Sequence, residues 1–225
     1  MPNKIILYSC EENEYLLPMF LLFASKADYN NHALVDTNIS LIRENFINSG
    51  KKSVNDNKIK ENLKAMGGTY ISYRYKIDDV KPDTRLQFYF TNEEQRHTRN
   101  YTKIDCDEFT YLSEWSYDRF LNEPEKKTIN SLTLINIYCY MKMRIMQYEN
   151  MEGEHFMEES VKYIGSKCNK GDKTVTFYLG ILDEIGMITR ERIANNFREV
   201  YRYRLNDRWR EDWESRYAPN EVEVF

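Results

Sequence analysis

The side chains that could do chemistry fall into two groups, and the first is soon exhausted. Cys10, Cys106, Cys139 and Cys168 stand singly. None forms a CxxC pair or has a histidine at metal-ligand spacing, so free thiols are expected instead of a zinc site. His32, His97 and His155 lie far apart in polar stretches. The Gly67-Gly68 pair closes an expected helix instead of opening one, so it does not offer the backbone amides of a phosphate loop. There is no nucleophile elbow. Acidic pairs such as Asp105/Asp107 and Glu158/Glu159 are ordinary in a chain with 36 acidic residues. No enzyme, metal or cofactor is expected. The second group is basic and hydroxyl-bearing: Lys170, Lys173, Thr174, Thr176 and Phe177, then Arg190, Arg192, Asn195, Asn196 and Arg198. Lysine and arginine bond phosphates, threonine bonds base edges, and an apolar side chain meets a thymine methyl. That chemistry is recognition of duplex DNA.

The net charge of −4 argues against a nucleic-acid partner, but its distribution does not. Residues 51–76 carry seven Lys/Arg against two acids, and residues 187–210 carry seven Arg against three. The acid lies in residues 105–125, 149–159 and 211–225.

The elements that must position the second group follow from periodicity. Residues 132–146 repeat apolar side chains at Leu134, Ile137, Tyr138, Met141, Ile145 and Met146, a helix capped by Asn130 or Ser131 and apolar nearly all round. Residues 158–168 give a short helix with Ser160 as N-cap and Val161, Ile164 and Cys168 on one face. Gly165 is small enough for a close crossing. Residues 169–172 (Asn-Lys-Gly-Asp) make a turn. Residues 173–185 form a second helix burying Val175, Leu179, Leu182 and Ile185, and Gly186 stops it. Its other side shows Lys173, Thr174, Thr176, Phe177 and Gly180. Residues 187–193 and 197–205 read as a hairpin about Ala194-Asn195-Asn196. In its second strand Phe197, Tyr201, Tyr203 and Leu205 alternate with Arg198, Val200, Arg202 and Arg204, giving one greasy and one basic face.

Residues 160–192, with the run Thr174-Val175-x-x-Tyr178-Leu179, then Leu182, then Gly186-Met187-Ile188 and Arg190, resemble the winged helix-turn-helix domains of bacterial, phage and plasmid DNA-binding proteins. The resemblance covers about a third of the chain. It implies that the second helix enters a major groove and that the hairpin, with Arg190, Arg192 and Arg198, meets phosphates or a minor groove.

The N-terminal half repeats the order more faintly. Residues 14–27 give a helix with Pro18 in its first turn, and residues 32–35 a short strand. Asp36 or Thr37 caps a helix over 38–46 with Ile39, Ile42 and Phe46 on one face. Residues 57–66 give a helix with Ile59, Leu63 and Met66 inward, and residues 69–76 and 84–90 give two strands. Leu63, Met66 and Gly67 fall on Leu182, Ile185 and Gly186 at one spacing, and Ile39 and Ile42 on Val161 and Ile164 at another. A first reading helix would show Asn57, Lys58, Lys60, Glu61 and Lys64, with Lys51 and Lys52 in the preceding turn. Residues 92–100 read as a linker and 103–113 as a strand.

The expected fold class is α+β, predominantly helical, with tandem winged helix-turn-helix domains. Residues 1–100 are expected to form a winged-helix-like domain, 101–210 a winged helix-turn-helix domain and 211–225 an acidic tail. The organisation is similar to plasmid and phage replication initiators and to transcriptional regulators of mobile elements. The expected partner is double-stranded DNA, joined by a second copy of the chain or a replication or transcription protein. A rival expectation is a protein-interaction module, an inhibitor or adaptor acting through its acidic surfaces. No apolar run reaches the ~18 residues a membrane span needs, and the N-terminus is a poor signal peptide, so a cytoplasmic location is expected.

Overall fold

The computed structural model describes residues 1–31, 33–47, 54–91, 101–122, 129–148, 153–193 and 200–216. The fold is α+β and mostly helical. Its described residues hold nine α-helices and two three-stranded antiparallel sheets. Two compact units divide at Cys139/Tyr140, inside a helix.

The first unit begins with α1 (Asn3–Glu11) and α2 (Leu16–Lys26). All residues of α2 from Leu16 to Phe23 are buried, so it is the central helix of its core. Pro18 sits in its first turn, where an amide would lack a helical acceptor anyway. Then come β1 (Leu34–Thr37), α3 (Ile39–Ile47), α4 (Asp56–Met66), β2 (Ile71–Ser72) and β3 (Leu86–Phe90). The sheet order is β1-β3-β2. Val35 pairs with Phe88 and Ile71 with Phe90, and these face the helices: Phe23 meets Phe88 edge-on at 4.6 Å and Phe20 meets Phe90 at 5.1 Å. Asp36 and Thr37 do not cap α3, because both are tied into β1; Asn38 does, its side-chain oxygen accepting from the Leu41 amide at 2.8 Å.

The segment expected as a strand at 103–113 is instead the start of α5 (Cys106–Asn122). The backbone amide of Asp105 donates to the Glu108 carboxylate at 3.0 Å, the returning half of a capping box. Glu108 is buried and accepts a second bond from the Tyr138 hydroxyl at 2.8 Å. Next comes α6 (Ser131–Gln147), within which the units divide; Ser131 to Met143 are all buried. Asn130 caps it through its side chain, at 3.1 Å from the Leu132 amide.

The second unit continues with β4 (Met157–Glu159), α7 (Val161–Lys167), α8 (Asp172–Glu184), β5 (Ile188–Ile193), β6 (Val200–Leu205) and α9 (Trp209–Arg216). Its sheet order is β4-β6-β5. Strand, helix, helix, strand, strand, with the third strand between the other two, therefore occurs twice in the chain. α9 takes in the start of the segment expected as a tail, and its Trp209 is buried.

Two glycines fix the α7–α8 pair. A Cβ on Gly165 would lie 2.7 Å from the Lys170 carbonyl oxygen, so the turn closes against α7 only because a side chain is missing there. Asn169 takes the left-handed conformation in that turn, φ +48°. At the other end Gly186 has φ +74°. Its amide donates to the Asp183 carbonyl and the Met187 amide to the Leu182 carbonyl. That pair of bonds is the Schellman closure, which satisfies carbonyls the helix end would otherwise leave open. Among the described residues no helix is long and apolar enough to cross a membrane.

Candidate nucleic-acid interface

α8 separates its surfaces as its periodicity requires. Val175, Leu179 and Leu182 are fully buried, with Tyr178, Ile181 and Ile185 nearly so. Lys173 and Thr176 are exposed, while Thr174, Phe177 and Gly180 are half-buried. Phe177 is therefore neither a core residue nor a free apolar contact; its ring meets Tyr178 edge-on at 5.3 Å. Lys170 is half-buried in the turn, where its amide bonds the Gly165 carbonyl.

The hairpin places its cations on two sides, and the register decides which. Arg190 pairs with Tyr203, Arg192 with Tyr201 and Glu191 with Arg202. Cross-strand partners share a face. Arg190 and Arg192 thus belong to the side that carries Tyr201 and the buried Tyr203, the side turned to the helices. Arg202 and Arg204 lie on the opposite side. There Arg202 bonds Glu158 through two nitrogens, at 2.8 and 2.5 Å, and Arg204 lies 3.7 Å from Glu191 and 3.9 Å from Glu154. Both guanidinium groups stand over the Phe156 ring, at 4.9 and 5.9 Å. The basic face read from the alternation is real as a pattern, but acids from β4, its preceding turn and β5 neutralise it.

On the helix side an open concavity of about 840 Å³ is lined by Lys162, Tyr163 and Ser166 of α7, Thr176 of α8, Arg190 of β5 and Tyr201 of β6. Arg190 reaches across to α8. Its Nε donates to Asp183 Oδ2 at 3.2 Å, and its Nη2 is 3.9 Å from where a Gly180 Cβ would stand. The Arg190 guanidinium thus lies against the helix at Gly180. Asp183, Lys162, Tyr163, Ser166 and Tyr201 are site residues that sequence reasoning does not single out. The signal for Asp183 is its spacing, seven residues beyond Thr176 on the same flank of a helix.

In the first unit α4 exposes Asn57 and Lys64 and half-buries Lys60. Its N-cap Asn55 accepts from the Lys58 amide at 2.8 Å. Lys60 Nζ donates to the Asp78 carbonyl at 2.9 Å, and Lys64 Nζ to the Asp78 carboxylate at 2.8 Å. The hydrogen bond from Lys64 holds the Asp78 carboxyl below its ordinary value, and Asp78 in turn raises Lys64. Lys58 reaches Glu61 at 3.3 Å. The expected site residues Lys51, Lys52, Asn195, Asn196 and Arg198 lie outside the described residues. The structure brings Thr176 and Arg190 together and sets Lys173 on the same helix.

Among the described residues no cluster of three His, Cys, Asp or Glu side chains could hold a metal ion. Cys10, Cys139 and Cys168 are buried thiols and Cys106 is an exposed one. Comparison with protein-family models, curated proteins and solved structures finds no match for this chain.

Proposed function

We propose that this chain is a non-enzymatic, sequence-specific double-stranded-DNA-binding protein built on tandem winged helix-turn-helix units, the second of which is the main reading head. In that role it would act as a replication initiator or a transcriptional regulator of a bacterial plasmid or phage. The observation that carries the reading is the exposed side of α8. Lys173 and Thr176 stand exposed along a helix whose opposite side is buried, and Arg190 of the adjoining hairpin lines one concavity with Thr176. A helix so presented has the width a major groove admits, and the side-chain types suit phosphates and base edges. The repeated strand-helix-helix-hairpin order supports the tandem arrangement.

The test is fluorescence anisotropy of the full chain on duplexes from its own genetic neighbourhood and on unrelated duplexes, across a salt series. One duplex should bind at least a thousandfold more tightly than unrelated DNA, the low end for specific binders. Lys173→Ala combined with Arg192→Ala should weaken all duplexes and flatten the salt slope, by ~0.9 for each phosphate that is no longer neutralised.

A second reading has its own support. The outer face of the second sheet is an ion-pair mosaic of Arg202, Arg204, Glu154, Glu158 and Glu191, which suits a charged protein partner better than a phosphate backbone. Failure of the wild type to bind any duplex at low salt would favour this protein-interaction role.

A further inference from the structure

We infer that Arg190 reads a guanine edge in the major groove, in a composite head with Thr176, and that Asp183 is the residue that positions it. The inference rests on the DNA-binding reading above and changes what the hairpin arginine does within it.

Arg190 starts from the middle of β5, opposite Tyr203, on the side of the sheet turned to the helices. Its side chain crosses to α8 and settles over Gly180, one turn beyond Thr176. Thr176 and Arg190 line the same concavity. The carboxylate of Asp183 takes the Nε–H and nothing more. Among the described residues the two terminal nitrogens, a forked pair of donors, meet no acceptor, which leaves them for an outside one. An arginine restrained in this way has lost much of its rotamer freedom before any ligand arrives, which is what a site needs for geometric discrimination.

Two ligands in duplex DNA offer a forked acceptor to such a group: the O6/N7 edge of guanine and a phosphate. The surroundings favour guanine. Asp183 lies 3.2 Å from the Arg190 Nε, and Asp172 and Glu184 are exposed on the same helix. A phosphate approaching Arg190 would meet the Asp183 carboxylate at short range, whereas an uncharged base edge would not. Placement beside the exposed side of α8 also puts the guanidinium where that helix would meet base edges.

The experiment uses the full chain and a pool of duplexes with randomised cores. Duplexes selected by the wild type are compared with those selected by Arg190→Ala, Asp183→Ala and Asp183→Asn, with thermal melting to confirm that each variant is folded. The expected result is a guanine at a fixed position that Arg190→Ala no longer prefers while the other positions persist. Affinity for the selected duplex should fall roughly 10- to 100-fold, and affinity for the duplex altered at that guanine should hardly change. Asp183→Ala should weaken the same preference. Asp183→Asn, which keeps an oxygen acceptor for Nε, should retain most of it. A purely structural role for Asp183 would lower affinity at every position alike and overturn its assignment. If Arg190→Ala weakens all duplexes equally and lowers the salt slope by ~0.9, Arg190 is bound to a phosphate, and the inference fails while the DNA-binding reading stands. If the wild type binds no duplex at all, both fall together.

Discussion

The two units share one order of elements and spend their cations differently. In the first, Lys60 and Lys64 of α4 turn onto Asp78 in the connection between β2 and β3. The helix and that connection are thereby tied to each other. In the second, Lys173 and Thr176 of α8 stay exposed, and Arg190 of the hairpin reaches the helix through its Nε alone, its terminal nitrogens meeting no acceptor among the described residues. The strands differ in the same sense. β2 has two residues, Ile71–Ser72, and β5 has six, Ile188–Ile193. A longer β5 carries Arg190 and Arg192 away from the helix end and gives them a register. The same scaffold can thus be closed on itself or left open to a ligand, depending on where one acid falls.

The largest expected effects test whether both copies are true cores. Leu63 and Leu182 are fully buried at corresponding positions of α4 and α8. Leu63→Ala and Leu182→Ala should each cost ~2–5 kcal/mol in denaturant unfolding. A cost well under 1 kcal/mol for Leu63→Ala would mean that the first copy resembles the second in order only.

The helix ends should separate the copies next. Gly186 holds φ +74°, and a Cβ there would stand 2.9 Å from the Arg208 Cβ and 3.2 Å from the Trp209 amide. In the first unit the Gly67 matched to Gly186 has φ −61°, and it is the next residue, Gly68, that holds φ +75°, with open space around it. Each Ala substitution should cost ~1–3 kcal/mol for the backbone, with Gly186→Ala at the upper end or beyond because of the clash. Equal losses in thermal melting would show that Arg208 and the start of α9 yield easily.

The sequence spacing also explains what was legible. α6, α7 and α8 are readable because each carries an unbroken apolar period and a capping side chain, Asn130 or Ser160, or a terminating Gly186. α1 is not, because Pro2 precedes it with no side-chain cap bond and its buried set, Asn3, Ile5, Ile6, Ser9 and Cys10, includes two polar residues and runs into acid. The start of α5 reads as a strand, although Asp105 and Glu108 stand at capping-box spacing. β4 has a single buried residue, Met157, too little for any period. At the site, the exposed side of α8 is legible from helical spacing alone. The side of the sheet on which Arg190 emerges is not. A one-residue change in hairpin register reverses every side chain, and no local pattern fixes that register. The capture of Lys60 and Lys64 by Asp78 is equally hidden, since residues 14 or more apart meet there only through the fold.

Smaller effects concern the cations themselves. Lys173→Ala should lower affinity for all duplexes and reduce the salt slope by ~0.9, because an exposed lysine at this position meets a phosphate. Lys60→Ala with Lys64→Ala should leave both unchanged. If the pair in α4 lowers the slope by ~2 instead, the first helix also meets DNA, the Asp78 tie opens on binding, and the contrast between the units reverses.

The smallest effect, and the most direct reading of that tie, is the titration of Asp78. The bond from Lys64 holds its carboxyl below the ordinary 3.8. A depressed carboxyl contributes its share of stability above the ordinary value and loses it as pH falls through the lowered one. Lys64, raised above 10.5, contributes below that value and loses its share as pH rises through the raised one. The tie should therefore be intact through the neutral range and open first on the acid side. Carboxyl chemical shifts followed by NMR should give Asp78 a midpoint below 3.8 in the wild type and return it toward 3.8 in Lys64→Ala. Asp36, lowered chiefly by its bond from Arg85, is the internal control and should not move in that variant. An ordinary midpoint for wild-type Asp78 would mean that α4 carries its lysines as openly as α8 does. The difference between the two units would then have to be sought in the hairpins alone.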